Sequence, residues 1–237
     1  MRHQTTLTRI APLTFALFIL ITLGASSRTQ AQELQLGIDF LTVIPQSEFK
    51  QNVRNNGFGV SGNFLVGLGR SPLLAGLDVG VATYGHESRK VPLSGSIPDI
   101  TVDVKTDNNI VLTHFLLRAQ PRHGAVRPYV DGLVGFKYLF TTTTVQTDSS
   151  DEALASDNNL SDVAFSYGLG GGVQSRLARL GGGRELLFDA KARYLWGARA
   201  RYLKEGSIVR VGGTAIFDVL SSQTNAVTLQ FGVAIRF

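Results

Sequence analysis

Ala226-Val227-Thr228-Leu229-Gln230-Phe231-Gly232-Val233-Ala234-Ile235-Arg236-Phe237 is the stretch that decides the fold. Taken in twos, one side holds Val227, Leu229, Phe231, Val233, Ile235 and Phe237. The other holds Ala226, Thr228, Gln230, Gly232, Ala234 and Arg236. Side chains of a strand point alternately to its two faces, so this is a β-strand with one oily and one polar side. A soluble sandwich can also end on such a strand. The decision therefore rests on whether the rest of the chain repeats it.

The same alternation recurs along the chain. Leu34–Thr42 sets Leu34, Leu36, Ile38 and Phe40 against Asp39, and Gly57–Leu68 sets Phe58, Val60, Phe64, Val66 and Leu68 against Ser61 and Asn63. Leu74–Thr83 sets Leu77, Val79 and Val81 against Asp78. Ile110–Gln120 sets Val111, Phe115 and Leu117 against His114, Arg118 and Gln120. Tyr129–Phe140 sets Val130, Val134, Phe136, Tyr138 and Phe140 against Asp131 and Lys137. Val163–Gln174 has Val163, Phe165, Tyr167, Leu169 and Val173 backed by Ala164, Ser166, Gly168, Gly170, Gly172 and Gln174. Glu185–Ala198 has Leu186, Phe188, Tyr194 and Trp196 backed by Asp189, Lys191 and Arg193. With the terminal strand that makes eight, and no apolar face carries a charge.

The core face of a soluble sandwich is apolar too, so three further features separate the architectures. Joins alternate in length: Gly69–Leu73, Pro121–Pro128 and Arg176–Arg184 are short, whereas Tyr84–Asn109, Thr141–Asp162 and Arg199–Asn225 are long and polar. Short turns at one end and long loops at the other are the pattern of an outer-membrane barrel. Tyr138, Phe140, Tyr194 and Trp196 end rising strands, while Phe58 and Phe165 begin descending ones. That predicts an aromatic girdle, with Phe237 at the opposite rim. Most strands run about 9 to 14 residues, beyond the usual soluble strand and long enough to cross a bilayer at a tilt. The predicted fold is all-β: an eight-stranded antiparallel up-and-down transmembrane β-barrel with short periplasmic turns and long extracellular loops.

The 237 residues carry no cysteine and a net charge of +5, totals that hide two segments. Arg2 and Arg9 precede the apolar run Ile10–Leu23, and small and polar residues follow, as in a secretory signal peptide. The run falls short of the roughly 20 residues of a comfortable membrane span. Thr29-Gln30-Ala31 is the favoured cleavage site, with Ala25 as the alternative, so residues 1–31 are expected to leave and residues 32–237 to form the barrel. With no cysteine after the leader, a lipid anchor is not expected. Losing Arg2, Arg9 and Arg28 leaves 20 basic against 18 acidic residues. No basic face is visible, so no nucleic-acid partner is expected.

Gln230, Gly232, Ile235 and Phe237 fit a polar-x-Gly-x-x-apolar-x-aromatic spacing. It resembles the terminal β-signal by which the bacterial assembly machinery recognises outer-membrane barrels. On this motif and the strand pattern, residues 32–237 resemble the small outer-membrane β-barrel superfamily. That is the class of the outer-membrane protein A membrane domain and the "porin family" proteins. The resemblance implies export to the bacterial outer membrane, insertion by the barrel assembly machinery with periplasmic chaperones, and contact with outer-membrane lipid and lipopolysaccharide. A monomer is expected. Members serve as structural surface proteins, narrow pores, adhesins, lipophile conduits or lipid-modifying enzymes, so the fold does not choose the function. The peptidoglycan-binding domain of longer members is not expected after Phe237.

Function should lie on the inward face. It holds Asp39, Asp78, Asp131 and Asp189 against Arg118, Lys137, Lys191, Arg193 and Arg236, with His114 among them. Charges in a desolvated interior must pair. Two outcomes are open: a self-neutralising plug of salt bridges, or a narrow aqueous path lined by the charges. The bare wall at Gly168, Gly170 and Gly172 suits a path, or it receives the side chains of Lys191 and Arg193. Asp131 and Asp189 are each expected to contact Arg118, Lys191 or Arg193.

His86-Glu87-Ser88 resembles the active-site motif of outer-membrane lipid A deacylases. The strand phase turns His86 and Ser88 inward, away from lipid, and no catalytic residue is assigned. The expected function is therefore non-enzymatic, structural, surface or narrow porin-like. A lipid A-modifying hydrolase or a small-lipophile conduit is the alternative. His114 and His123 stand far apart and cysteine is absent, so neither a metal nor a cofactor is expected. Gly170-Gly171-Gly172 and Gly181-Gly182-Gly183 lack the Lys-Ser/Thr of a phosphate loop. The acidic run Asp148–Glu152, with Asp157 and Asp162, lacks the spaced ligands of a calcium loop. Ile208–Phe217 reads as a hairpin turning at Gly212-Gly213 beyond the barrel rim.

Overall fold

The computed structural model describes residues 33–94, 97–147, 150–203, 208–211, 214–217 and 219–237. Residues 1–31, expected as the leader, and Asp148, Ser149, Gly212 and Gly213, expected in the acidic run and in a hairpin turn, lie outside these residues. Eight strands close into one antiparallel ring. They are β1 (Leu34–Pro45), β2 (Gly57–Gly67), β3 (Leu73–Ser94), β4 (Ile97–Ala119), β5 (Val126–Thr147), β6 (Ser150–Arg179), β7 (Glu185–Gly197) and β12 (Ala226–Arg236). Each pairs with its neighbours in sequence, and the ring shuts where the terminal strand β12 pairs with β1, Leu36 facing Ile235 and Phe40 facing Phe231. Closure leaves no unpaired edge, which a spanning sheet requires because lipid offers no hydrogen bonds.

The outer face is apolar and uncovered. Ile38, Phe115, Val130 and Leu169 are 62%, 67%, 62% and 63% exposed. Soluble proteins rarely expose contiguous apolar patches beyond a few hundred Å², so a belt encircling the ring needs hydrocarbon around it. The alternate positions Asp39, Ser61, Asp78, Arg118, Asp131, Asp189 and Thr228 are buried inside. The in–out phase read from the sequence is the one observed along the eight spans.

Connections differ at the two ends. At the turn end β2–β3 and β4–β5 are joined tightly, and β6–β7 by a 3-10 turn at Gly181–Gly183. Gly182 and Gly183 there have φ of 74° and 77°, a conformation that L side chains rarely adopt. The opposite, loop end departs from expectation. Tyr84–Asn109 and Thr141–Asp162, expected as loops, are strand: β3–β4 and β5–β6 continue as hairpins far beyond the apolar band. β4 and β5 also stay paired there, from Asn108↔Thr141 to Val102↔Thr147, so the extension is one four-stranded sheet. Its polar composition suggested loops, but a sheet in water needs no continuous apolar face, only paired backbone and β-prone residues such as Thr141–Val145.

The last join carries β8 (Arg199–Tyr202), β9 (Ile208–Val211), β10 (Thr214–Phe217) and β11 (Leu220–Gln223). β9 and β10 pair as the expected hairpin, whereas the β8–β11 pairing is an addition. So is the short helix α1 (Ser47–Asn52) between β1 and β2.

Candidate functional site: the lumen and its two mouths

Asp131 on β5 is the hub of the lumen. Arg118 on β4 donates to it through Nε at 2.8 Å and Nη2 at 3.0 Å. Arg193 on β7 donates through Nε at 3.2 Å and Nη2 at 2.8 Å. Arg193 Nη1 also donates to Gln230 at 3.1 Å and stands 2.9 Å from Asp78 Oδ2. The Arg118 guanidinium lies 3.6 Å above the centre of the Tyr129 ring, and the Tyr129 hydroxyl donates to Asp189 at 2.5 Å. Lys191 then bridges Asp189 at 3.2 Å and Asp39 at 2.6 Å, where Asn63 also donates at 3.1 Å. Gln174 donates to Asp189 at 3.3 Å.

Asp39, Asp78, Arg118, Asp131, Asp189, Lys191 and Arg193 thus form one chain of contacts across the lumen. Strand spacing makes it possible: residues of one face on neighbouring strands meet, and long side chains reach further. The glycine wall of β6 is used up by packing. A Cβ at Gly170 would collide with the Arg193 stem, and one at Gly172 would stand 2.5 Å from the Tyr129 hydroxyl. The side chains of Arg118, Asp131, Asp189, Lys191 and Asp39 are 0% exposed, so no water-sized space reaches them.

The remaining inward positions stand apart from this chain. Lys137, on the loop side, donates to the Leu195 and Thr224 carbonyls at 3.2 and 2.5 Å. Ser166 donates to Trp196 O at 2.9 Å and so accepts from His114 Nε2 at 3.1 Å. Arg236 belongs to the turn-end mouth. There Arg236 pairs with Glu33 at 2.8 Å and approaches Glu185 at 3.6 Å, and Arg176 donates to Glu185 at 2.9 Å. Arg127 also pairs with Glu185.

The loop-end mouth is packed differently. α1 lays Phe49 edge-on against Tyr84 at 5.8 Å and Tyr202 at 5.2 Å. Val43, Val53, Ala200 and Ala226 belong to the same buried apolar cluster, which runs on into the lumen through Leu41, Leu112, Leu133, Leu139 and Leu195. The Tyr202 hydroxyl accepts from Asn52 at 2.9 Å and meets Ser222 at 2.6 Å, whereas the buried Tyr84 hydroxyl has no hydrogen-bond partner among the described residues.

Sequence reasoning missed several of these residues. Tyr129 was legible by parity, lying two positions from Asp131 on the same face, and Gln174 was placed on the inward face without a role. Phe49 gave no signal beyond a lone aromatic in a polar join.

The girdle residues Phe58, Tyr138, Phe140, Phe165, Tyr194 and Trp196 all face outward; Tyr138 stacks on Phe140 at 5.4 Å, and Trp196 stacks on Tyr167 at 5.3 Å with Tyr194 tilted against it at 4.8 Å. Aromatic surface is not confined to them, since Phe40, Phe115 and Phe231 are also exposed on the outer face. In the terminal motif, Gln230 faces Arg193 and Ile235 pairs Leu36. At Gly232 a side chain would strike Asp39, its Cα at 2.6 Å. Phe237 N donates to Leu34 O at 2.9 Å. The inward placement of His86 and Ser88 is corrected. A register shift between Thr83 and Gly85 buries Tyr84 and Gly85 in succession and turns His86 and Ser88 to the exposed face. His86 Nδ1 lies 2.6 Å from Asp107 Oδ1. Among the described residues no three His, Cys, Asp or Glu side chains converge as metal ligands.

No protein family matches the sequence, and no curated protein matches it. Among solved structures, Neisserial surface protein A is similar at 11% identity, covering 87% of this chain and 96% of that one, with a TM-score of 0.39. OprG from Pseudomonas aeruginosa is 15% identical over 88% of this chain and 97% of its own, with a TM-score of 0.40. Ail of Yersinia pestis is 14% identical over 88% and 100%, with a TM-score of 0.36. Likenesses this distant carry no argument about function. Ring closure, the apolar belt and the charged interior speak for themselves: in fold the chain is a small β-barrel of the outer-membrane kind.

Proposed function

We propose that this is a non-enzymatic outer-membrane barrel of structural or surface type, with a plugged lumen rather than a solute path. The observation that supports the plug is the complete burial of the Arg118–Asp131–Arg193 and Lys191–Asp189 pairs. A hydrated path at that level leaves side chains accessible to water, and a salt bridge screened by water gains little. Residues 1–31 act as the export leader, lipid and lipopolysaccharide surround the apolar belt, and the mature chain works as a monomer. Planar-bilayer recording of the refolded barrel tests the reading. Silence is expected, and stable single-channel steps overturn it.

Gln230, Gly232, Ile235 and Phe237 serve as the assembly signal in this reading. Deleting Phe237 should leave the chain unfolded in the periplasm among its chaperones, seen as lost heat-modifiable gel mobility. Insertion at the wild-type yield removes the signal role.

One observation favours a second reading, a lipid A-modifying hydrolase. His86 is exposed, its Nδ1 is held by Asp107, and Ser88 lies on the same face. A base oriented by a carboxylate beside a hydroxyl is the arrangement that activates a nucleophile. Lipid A from cells with and without the protein, compared by mass spectrometry, decides: loss of an acyl chain supports the hydrolase, and identical spectra remove it. No residue in the lumen supports the small-lipophile conduit, since the central side chains fill it.

A further inference from the structure

We propose that the turn-end mouth binds an anion carrying two phosphate groups, either soluble or borne on a lipid headgroup. The cavity there holds about 630 Å³ and is lined by Arg122, Arg127, Arg176, Arg179, Arg184 and Arg236. Against these six guanidinium groups stand two carboxylate side chains, Glu33 and Glu185. Glu185 is shared among Arg127, Arg176 and Arg236, and Glu33 between Arg236 and Arg122, the last at 3.7 Å. Arg184 turns its Nε to the Gly181 carbonyl at 2.9 Å, and neither it nor Arg179 has a carboxylate partner among the described residues.

Cations gathered around one concavity repel unless an anion joins them, and the concave shape focuses their field. Guanidinium forks match phosphate oxygens in pairs, and each charge-assisted bond is about twice as strong as a neutral one. A carboxylate carries one negative charge and a single phosphate group about −1.5 to −2. Either leaves much of this excess unanswered, whereas a diphosphate answers it, and the cavity has room for one. Phe237, 48% exposed, borders the cavity beside the apolar belt, so a headgroup has a lateral way in as well as an aqueous one. The proposal does not depend on whether the lumen conducts.

The test is titration of the refolded chain in phosphatidylcholine nanodiscs with inorganic pyrophosphate, repeated in nanodiscs doped with cardiolipin. Saturable binding is expected. Arg179→Gln with Arg184→Gln should weaken it by about tenfold or more, because two charge-assisted contacts are lost. Both residues are exposed in or beside the 180–184 turn, so the barrel should keep its heat-modifiable mobility. Arg184→Gln alone provides the same readout if the double variant misfolds. Arg201→Gln at the loop end should leave the affinity unchanged. Weaker pyrophosphate binding in cardiolipin nanodiscs identifies the lipid as the ligand, and unchanged binding identifies a soluble one. No saturable binding of pyrophosphate, or equal binding by wild type and the arginine variants, overturns the proposal.

Discussion

The middle of the lumen and its loop-end mouth are filled by different chemistry: the mouth by apolar side chains, the middle by buried ion pairs set among inward leucines such as Leu116 and Leu133. In the middle, strands on rigid register project Arg118, Arg193 and Lys191 onto Asp131, Asp189 and Asp39, and the backbone leaves glycine gaps to receive them. At the mouth, a segment that is not strand folds back and inserts Phe49 between Tyr84 and Tyr202. The first closure is interdependent, since each buried charge relies on its partner and an orphan is costly. The second rests on apolar area, which fails by degrees with the area lost. A barrel interior therefore need not be uniform. Where chain direction is imposed by the ring, charges can be placed against one another. Where a connection is free to fold inward, oily burial suffices.

The largest expected effect lies in the middle. Asp131→Asn leaves Arg118 and Arg193 facing a neutral amide, and breaking such a buried pair costs about 3–5 kcal/mol. A fall in the urea midpoint of the folded gel band should show it, and little change would mean that the ionic hub does not hold the lumen. Joint loss of Asp189 and Lys191 should destabilise less than loss of Asp189 alone, the mark of interdependence that the mouth should lack. Phe49→Ala should come next, about 3 kcal/mol by the range for buried aromatics, with no rescue by any charge change. Equal stability of Phe49→Ala and wild type would show the cap to be ornamental.

The outer face supplies a reference for both. Val134→Arg places a charge in hydrocarbon at a cost of about 2–4 kcal/mol near the midplane. Thr228→Arg, on the inner face, should instead be governed by crowding against Val43 and Arg193, its pairing partners on β1 and β7. Indistinguishable salt dependence and yield for the two variants would contradict the observed phase. The smallest effect belongs to the rim of the cap, where Glu48 joins Arg199 at 3.2 Å and accepts from Gln223 N at 3.2 Å in exposed positions. Glu48→Gln should cost less than about 1 kcal/mol and vanish in high salt. A large, salt-independent loss there would mean that the mouth, too, is held by charge.

Legibility followed the same division. Strict period-two alternation identified each spanning strand, because a strand caught between hydrocarbon and a polar interior admits only one phase. The inward charges followed from that phase. Individual partnerships did not: Lys137 could be assigned to the interior but not to the Leu195 and Thr224 carbonyls, because cross-barrel neighbours are distant in sequence. The hairpin extensions past Thr83 and Thr141 were hidden because strands in water on both sides carry no apolar stripe. The bulge at Tyr84 reversed the facing of His86 and Ser88, since one extra residue inverts every later side chain.

By itself, then, the sequence determined the eight spans, their facing and the apolar belt, because each depends only on neighbours within a strand and on the medium outside it. The tertiary structure alone decided that side chains fill the middle of the lumen, that α1 packs Phe49 into one mouth and that six arginines gather at the other. These depend on which distant side chains meet once the ring closes, and on how much room each leaves for the next.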